Sequence, residues 1–259
     1  MRISLLIFFC FTALAVFSQN TYIAHRGASY LAPENTLAAV NLAWELGVDA
    51  VEVDVHLTAD DRVVVCHDDD LKRTSGGTAR DKISKSKLSD LKKIDVGSFK
   101  GGQYKGETIP LIDEVLETIP DGKTLVIEIK CGEEILPALK KAIRLSGKET
   151  QVTFISFGWE TIVATQKAFP DNRCYYLKMV PFGLLGKMDE AAALGLAGVN
   201  LYYKIINEKV VKHAQDLNLE VLAWTIDEPE VILQLNKLGV NTFTSNRPKW
   251  LREQVEGLN

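Results

Sequence analysis

Residues 50–67 read A-V-E-V-D-V-H-L-T-A-D-D-R-V-V-V-C-H, two β-branched runs with only HLTADD between them. A crossover between parallel strands needs a dozen or more residues, so AVEVDV at 50–55 and RVVVCH at 62–67 should form an antiparallel hairpin. With a two-residue turn at Ala59 and Asp60, Glu52 pairs with His67 and Asp54 with Val65. Moving the turn to Asp60 and Asp61 keeps residues 52, 54 and 67 on one face, whereas a three-residue loop would break the placement. Strand side chains alternate, which puts Glu52 and Asp54 on one face and Val51, Val53 and Val55 on the other.

Outward from this hairpin the chain alternates strand with helix. Strand candidates are TYIAH at 21–25, TLVIEIK at 124–130, QVTFIS at 151–156, CYYLK at 174–178, GVNLYY at 198–203, EVLAWTI at 220–226 and NTFTS at 241–245. Between them, ENTLAAVNLAWELG, EEILPALKKAIRLSG, WETIVATQKAF, MDEAAALGL, NEKVVKHAQDLN and PEVILQLNKLG carry apolar residues at helical spacing. Setting aside the hairpin partner leaves eight strands, which predicts an α/β fold of the (β/α)8 TIM-barrel type, with an open doubly wound sheet as the alternative. The polar stretch from Leu71 to Pro110 is too long for an ordinary loop. It reads as a small insertion over one barrel mouth, with one short helix in SKSKLSDLKKI; a plain surface excursion is the alternative.

The chain has 259 residues, 46% hydrophobic and 25% charged, enough for a sizeable core in a single domain. A net charge of -4 argues against a nucleic-acid partner and leaves a small molecule as the expected one. Arg2, the apolar run Leu5 to Phe17 and the small residue Ser18 match a signal peptide cleaved after residue 18. Thirteen apolar residues are too few to span a bilayer as a lone helix. The expectation is therefore a secreted or periplasmic domain over residues 19–259 with no transmembrane segment. Cys10 falls in the removed part, and Phe9 before it disfavours a lipoprotein signal. Cys66, Cys131 and Cys174 specify no disulfide framework.

Glu128 and Lys130 share a face in VIEIK at 126–130, so three acids on two strands would point into the barrel. Unpaired buried carboxylates cost several kcal/mol each, so positive charge must answer them. Arg26 and Lys130 offer two charges; a divalent cation would supply the rest, and all-oxygen ligands favour magnesium or calcium over zinc. A metal-free ion-pair network is the alternative. His25 and His67 sit at strand ends beside these acids, which suits them to exchange protons near neutral pH. His213 lies in a helical stretch as a solvated residue, and His56 lies further toward the turn, outside the site. Asp68 belongs to a short acidic run and could orient His67.

The segments IAHRG at 23–27, PENT at 33–36, VEVDV at 51–55, HD at 67–68, VIEIK at 126–130 and AWTID at 223–227 together resemble the glycerophosphodiester phosphodiesterase family. TIPLIDEVL at 108–116 and TSNRP at 244–248 extend the likeness, which covers nearly the whole chain after residue 18; Asn246 departs from the Asp that members often carry. The resemblance implies a TIM barrel with its site at the C-terminal mouth and a divalent cation (Ca2+ or Mg2+) held by Glu52, Asp54 and Glu128. It implies His25 and His67 as acid and base, and Arg26 and Lys130 on the phosphate. It further implies Trp224 against the glycerol carbons, a position that core packing would equally explain. Glu34 could bind metal or substrate hydroxyls, while Asn35 and Thr36 also read as a helix start. The implied reaction is hydrolysis of a glycerophosphodiester to glycerol 3-phosphate and an alcohol. Competing readings are a carbohydrate hydrolase using paired carboxylates and a non-catalytic phosphodiester-binding barrel; the first leaves both histidines, Arg26 and Lys130 without work.

Overall fold

The computed structural model describes residues 20–258, so the signal-peptide reading of residues 1–18, with Arg2 and Cys10, lies outside the described residues. Among the described residues there are nine strands: β1 (Thr21–Ala24), β2 (Ala50–Leu57), β3 (Val63–Val65), β4 (Thr124–Ile129), β5 (Val152–Ser156), β6 (Arg173–Lys178), β7 (Gly198–Tyr202), β8 (Glu220–Trp224) and β9 (Thr242–Ser245). All except β3 pair in parallel, and β1 bonds both β9 and β2, so eight strands close into a barrel rather than an open sheet. Helices cover the outside. Glu208–Asp216 is representative: Asn207 accepts from the Val210 amide at 3.1 Å as its cap, and Val210, Val211 and Ala214 are buried beneath it.

Strand alternation separates two cores. Val51, Val53, Val55, Leu125 and Ile127 face the helices, whereas Ile23, Ala50, Val126, Ile155, Tyr175, Leu177 and Leu222 fill the barrel interior. Glu52 and Asp54 share the inward face of β2 and are 2% and 1% exposed, and Glu128 on β4 is 9% exposed, which leaves three acids almost without water. Asp54 and Glu128 are direct neighbours across the β2–β4 ladder.

The hairpin forms, but its register differs from the sequence expectation. Val55 pairs with Val65 and His56 with Val64, so Glu52 does not face His67, nor Asp54 Val65. The cause is a three-residue loop, Ala59 to Asp61, closed by the Thr58 amide donating to the Arg62 carbonyl at 2.9 Å. Asp61 takes a left-handed conformation at φ 56°, one that Asp tolerates better than most residues. The extra residue slips the pairing by one. His67 still reaches the mouth, because β3 ends at Val65 and the chain bends beyond it.

The insertion has its own small core of Val64, Cys66, Leu71, Ile83, Leu91, Val96 and Ile109, which sets it apart from a surface excursion. Its helix is a single turn, Leu88–Leu91. Lys100 Nζ donates to the Ser29 carbonyl at 2.7 Å and the Tyr104 hydroxyl to the Leu31 carbonyl at 3.0 Å, so the insertion rests against the loop that follows β1. No helix among the described residues is long and apolar enough to cross a membrane.

Candidate active site

The C-terminal ends of the strands surround a cavity of about 160 Å³ whose wall includes His25, Arg26, Glu52, His67, Glu128, Lys130, Phe157, Asn200 and Trp224. Asp54 lies beside it, and one oxygen from each of Glu52, Asp54 and Glu128 falls within 4.8 Å of the others. Every site residue expected from the sequence is therefore in one place, including His67 despite the slipped hairpin.

Each acid is held by one oxygen. Glu52 Oε2 accepts from the Arg26 amide at 2.8 Å, Asp54 Oδ2 accepts from Asn35 Nδ2 at 2.8 Å, and Glu128 Oε1 accepts from Lys130 Nζ at 2.7 Å. Glu52 Oε1 and Asp54 Oδ1 are buried with no hydrogen-bond partner. Burial, then the charges of Asp54 and Glu128, push the Glu52 carboxyl well above its ordinary range. Burial and Asp54 push Glu128 up to about 7. Burial works the same way on Asp54, but Lys130, Arg26, His67 and the Asn35 bond outweigh it and lower its pKa. The protein thus supplies too little positive charge for three ionised acids. Glu52 Oε1, which has no partner, and Asp54 Oδ1, which meets only Lys130 Nζ at 3.5 Å, complete an all-carboxylate donor set that fits a hard divalent cation such as calcium or magnesium.

Local backbone conformation creates this cluster. Arg26 is left-handed at φ 56°, and its amide donates to Glu52 Oε2 as the chain turns away from β1. Gly27 follows at φ 78°, and a Cβ there would stand 2.7 Å from the Ala39 backbone, so only glycine lets the turn lie against the first helix. Asn35, also left-handed, donates to Asp54 Oδ2 and accepts from the Asp54 amide at 3.1 Å. Thr36 caps Leu37–Glu45 by accepting from the Ala39 amide. The PENT segment therefore starts a helix and braces an acid.

The two histidines have different Nδ1 partners. His25 Nδ1 lies 2.8 Å from Asn246 Oδ1, and burial followed by the Arg26 charge lowers its pKa. His67 Nδ1 lies 2.7 Å from Asp68 Oδ1. Asp68 in turn accepts from Arg73 Nε at 2.8 Å, and Arg73 binds Glu34 through both terminal nitrogens. Glu34 also accepts from Arg26 Nη1 at 2.8 Å. Burial is more than offset by these two arginines, and the Glu34 carboxyl falls to about 2. Glu34 thus belongs to an arginine cluster, apart from the acid triad. His56 Nε2 touches only the His67 carbonyl, at 3.3 Å, and His213 pairs with Asp189 on the outer surface.

Trp224 Nε1 donates to the Asn200 carbonyl at 3.1 Å, and its ring meets Phe157 edge-on at 5.5 Å, which gives the cavity one apolar wall. The sequence reading missed Asn35 as an acid brace, Arg73, Phe157, Asn200 and Asp227. Asn200 is 1% exposed with Oδ1 unpartnered, and its inward parity on β7 was its only signal. Cys66, Cys131 and Cys174 are all free, and burial pushes the Cys66 and Cys174 thiols up to about 12, which leaves them unreactive.

The chain is similar along most of its length to proteins of one family. A glycerophosphodiester phosphodiesterase from Caldanaerobacter subterraneus subsp. tengcongensis is 33% identical over 234 residues, covering 88% of this chain and 95% of that protein. One from Bacillus subtilis is 26% identical over 257 residues, covering 91% and 86%. The structure of an Oleispira antarctica phosphodiesterase in complex with the product sn-glycerol-3-phosphate superposes with a TM-score of 0.85 at 31% identity, covering 92% of this chain and 97% of that one. The profile of the glycerophosphoryl diester phosphodiesterase family matches residues 25–250, a span that holds every residue of the cavity wall, and the chain belongs to that family of phosphoric diester hydrolases.

Proposed function

We propose that the protein hydrolyses glycerophosphodiesters to glycerol 3-phosphate and an alcohol, with Glu52, Asp54 and Glu128 holding a divalent cation and His25 and His67 exchanging the protons. The observation that carries this reading is the meeting of the acid cluster, two cationic side chains and two histidines around one cavity of about 160 Å³. Family membership removes the carbohydrate and non-catalytic alternatives.

A phosphodiester repels nucleophiles because its oxygens are negative, and more negative charge develops in the transition state. Bound at the triad, the cation supplies positive charge to those oxygens. Arg26 and Lys130 add two fixed charges from the wall, already oriented by Glu34 and Glu128. One histidine takes the proton of the attacking hydroxyl and the other protonates the departing alkoxide; water as the attacker gives glycerol 3-phosphate directly, whereas the glycerol 2-hydroxyl gives a cyclic phosphate that water opens in a second round of the same proton exchange. Trp224 and Phe157 offer an apolar surface to the glycerol carbons and exclude water from one side.

The test is an assay of the purified, cation-replete protein against glycerophosphocholine, glycerophosphoethanolamine, glycerophosphoglycerol and glycerophosphoinositol, with glycerol 3-phosphate as the measured product. Absence of that product from all four would overturn the activity. Full rate after EDTA would overturn the cation, and titrating chelated protein with calcium and magnesium separately identifies the ion. The N-terminal pattern supports export, with the mature chain starting near Gln19; an intact Met1 in the mass spectrum of the secreted form would refute this.

A further inference from the structure

We propose that Asn246, held by Asp227, is a positioning residue that fixes His25 as the Nδ1–H tautomer and leaves Nε2 facing the cavity as the proton acceptor. The proposal rests on the reading of His25 as one of the two proton-exchanging groups.

The argument runs from the group that can only accept. Asp227, three residues past the end of β8, takes three hydrogen bonds from the last residue of β9 and the residue after it. Its Oδ1 accepts from the Asn246 amide at 2.9 Å and the Ser245 hydroxyl at 2.7 Å, and its Oδ2 accepts from Asn246 Nδ2 at 2.7 Å. A carboxylate has no proton to give, so the Asn246 side chain cannot flip: its NH2 must face Asp227 and its oxygen must face the other way. That oxygen lies 2.8 Å from His25 Nδ1. Because Oδ1 is an acceptor only, Nδ1 must carry the ring's proton. Among the described residues Nε2 has no hydrogen-bond partner, and His25 lines the cavity.

The backbone makes the chain of bonds rigid. The His25 amide donates to the Ser245 carbonyl at 2.9 Å, which continues the β1–β9 ladder one step past its last paired residues. The Ile226 amide donates to the Thr244 carbonyl at 2.9 Å and ties the Asp227 loop to the same ladder. Ser29 Oγ, 3.4 Å from Asn246 Oδ1, is a second and weaker donor to the same oxygen. In the reaction, Nε2 takes the proton as the attacking oxygen bonds to phosphorus. The bond from phosphorus to the alcohol oxygen breaks, and that oxygen takes a proton from His67. Nδ1 keeps its own proton and its bond to Asn246 throughout.

Two-bond nitrogen–proton correlation spectra of protein labelled with 15N-histidine read the tautomer directly, with His25 assigned by the signals lost in His25→Ala. The expected result is Nδ1–H for His25 in the wild type and a shift toward Nε2–H in Asn246→Ala. Turnover in that variant should fall by between about tenfold and the ~10⁴-fold that a wrong histidine tautomer costs a hydrolase triad, with KM unchanged. Asn246→Asp alone places two carboxylates against each other and should also lose turnover. Exchanging the pair, Asp227→Asn with Asn246→Asp, restores a donor facing an acceptor and should recover both the Nδ1–H signal and most of the rate, which a simple loss of stability would not do. An Nε2–H tautomer in the wild type, or wild-type turnover in Asn246→Ala with its tautomer altered, would overturn the proposal. Full turnover in His25→Ala would instead remove the catalytic reading of His25 and this proposal with it, whatever the spectra show.

Discussion

On five strands the inward residues two positions apart change character. Ile23 is followed by His25, Ala50 by Glu52 and Asp54, Val126 by Glu128 and Lys130, Ile155 by Phe157 and Leu222 by Trp224. Two residues of strand advance about 6.6 Å. Within that distance the barrel passes from an apolar plug to a charged and aromatic mouth. The plug removes hydrocarbon from water, whereas the mouth holds acids whose own environment disfavours their charge. Strands are thus shared while stability and chemistry occupy different heights, and substitutions at the two heights should separate the two properties.

The largest separation is expected at the histidines. His25→Ala and His67→Ala should each lower turnover about 100- to 10,000-fold with fold and cation binding retained. A diester with a nitrophenolate leaving group, which needs little protonation, should rescue His67→Ala but leave His25→Ala slow. Stability loss with near-normal turnover in the folded fraction would erase the distinction between the halves. Next come the acids. Asp54→Asn and Glu128→Gln should weaken calcium or magnesium binding, measured by calorimetry, by more than the ~10–100-fold that losing an outer-shell partner costs. In the plug, Leu222→Ala should cost about 2–5 kcal/mol in denaturant unfolding and leave turnover of the folded enzyme unchanged.

The smallest effect, and the most specific to the mouth, is on pH. Glu128 is pushed up to about 7 by burial and Asp54, and Glu52 moves the same way, so the chelated folded protein holds protons that the unfolded chain releases near 4.5. The contribution of Glu128 is complete below about 4.5 and is lost as pH rises toward 7, and that of Glu52 is lost in the same direction. Glu34 falls to about 2, so its contribution is present above about 4.5 and lost as pH drops toward 2. Chelated protein should therefore melt highest between these windows. Adding calcium or magnesium should remove the decline on the alkaline side, and a melting temperature independent of pH from 4.5 to 7 under chelation would refute the assignment.

The barrel was legible because its strands and helices differ in apolar period, and the acids because VEVDV and VIEIK fix their parity without any long-range information. The hairpin register was not, because A-D-D carries no glycine to mark the left-handed residue, and Asp61 supplies it instead. The supports of the site were equally hidden. Arg73 looks like one more charge in a polar insertion until the fold brings it to Glu34, 39 residues earlier in the chain. Asn246 was visible only as a departure from a motif, since its partner His25 lies 221 residues away. Side chains that perform chemistry were readable from strand ends, while the side chains that aim them depend on loop contacts.

Arg73 makes the insertion a latch. Its guanidinium grips Glu34 on the β1 loop and Asp68 beside His67, yet it is itself 45% exposed, and the insertion that carries it rests on a cluster of only seven buried apolar residues outside the main core. Such a unit can open on its own, at a lower free energy than the barrel. When it does, His67 loses the brace on its Asp68 partner while the eight parallel strands remain paired. On heating, inactivation should then precede melting, and amide exchange should reach the insertion before the barrel: the enzyme would switch itself off while still folded.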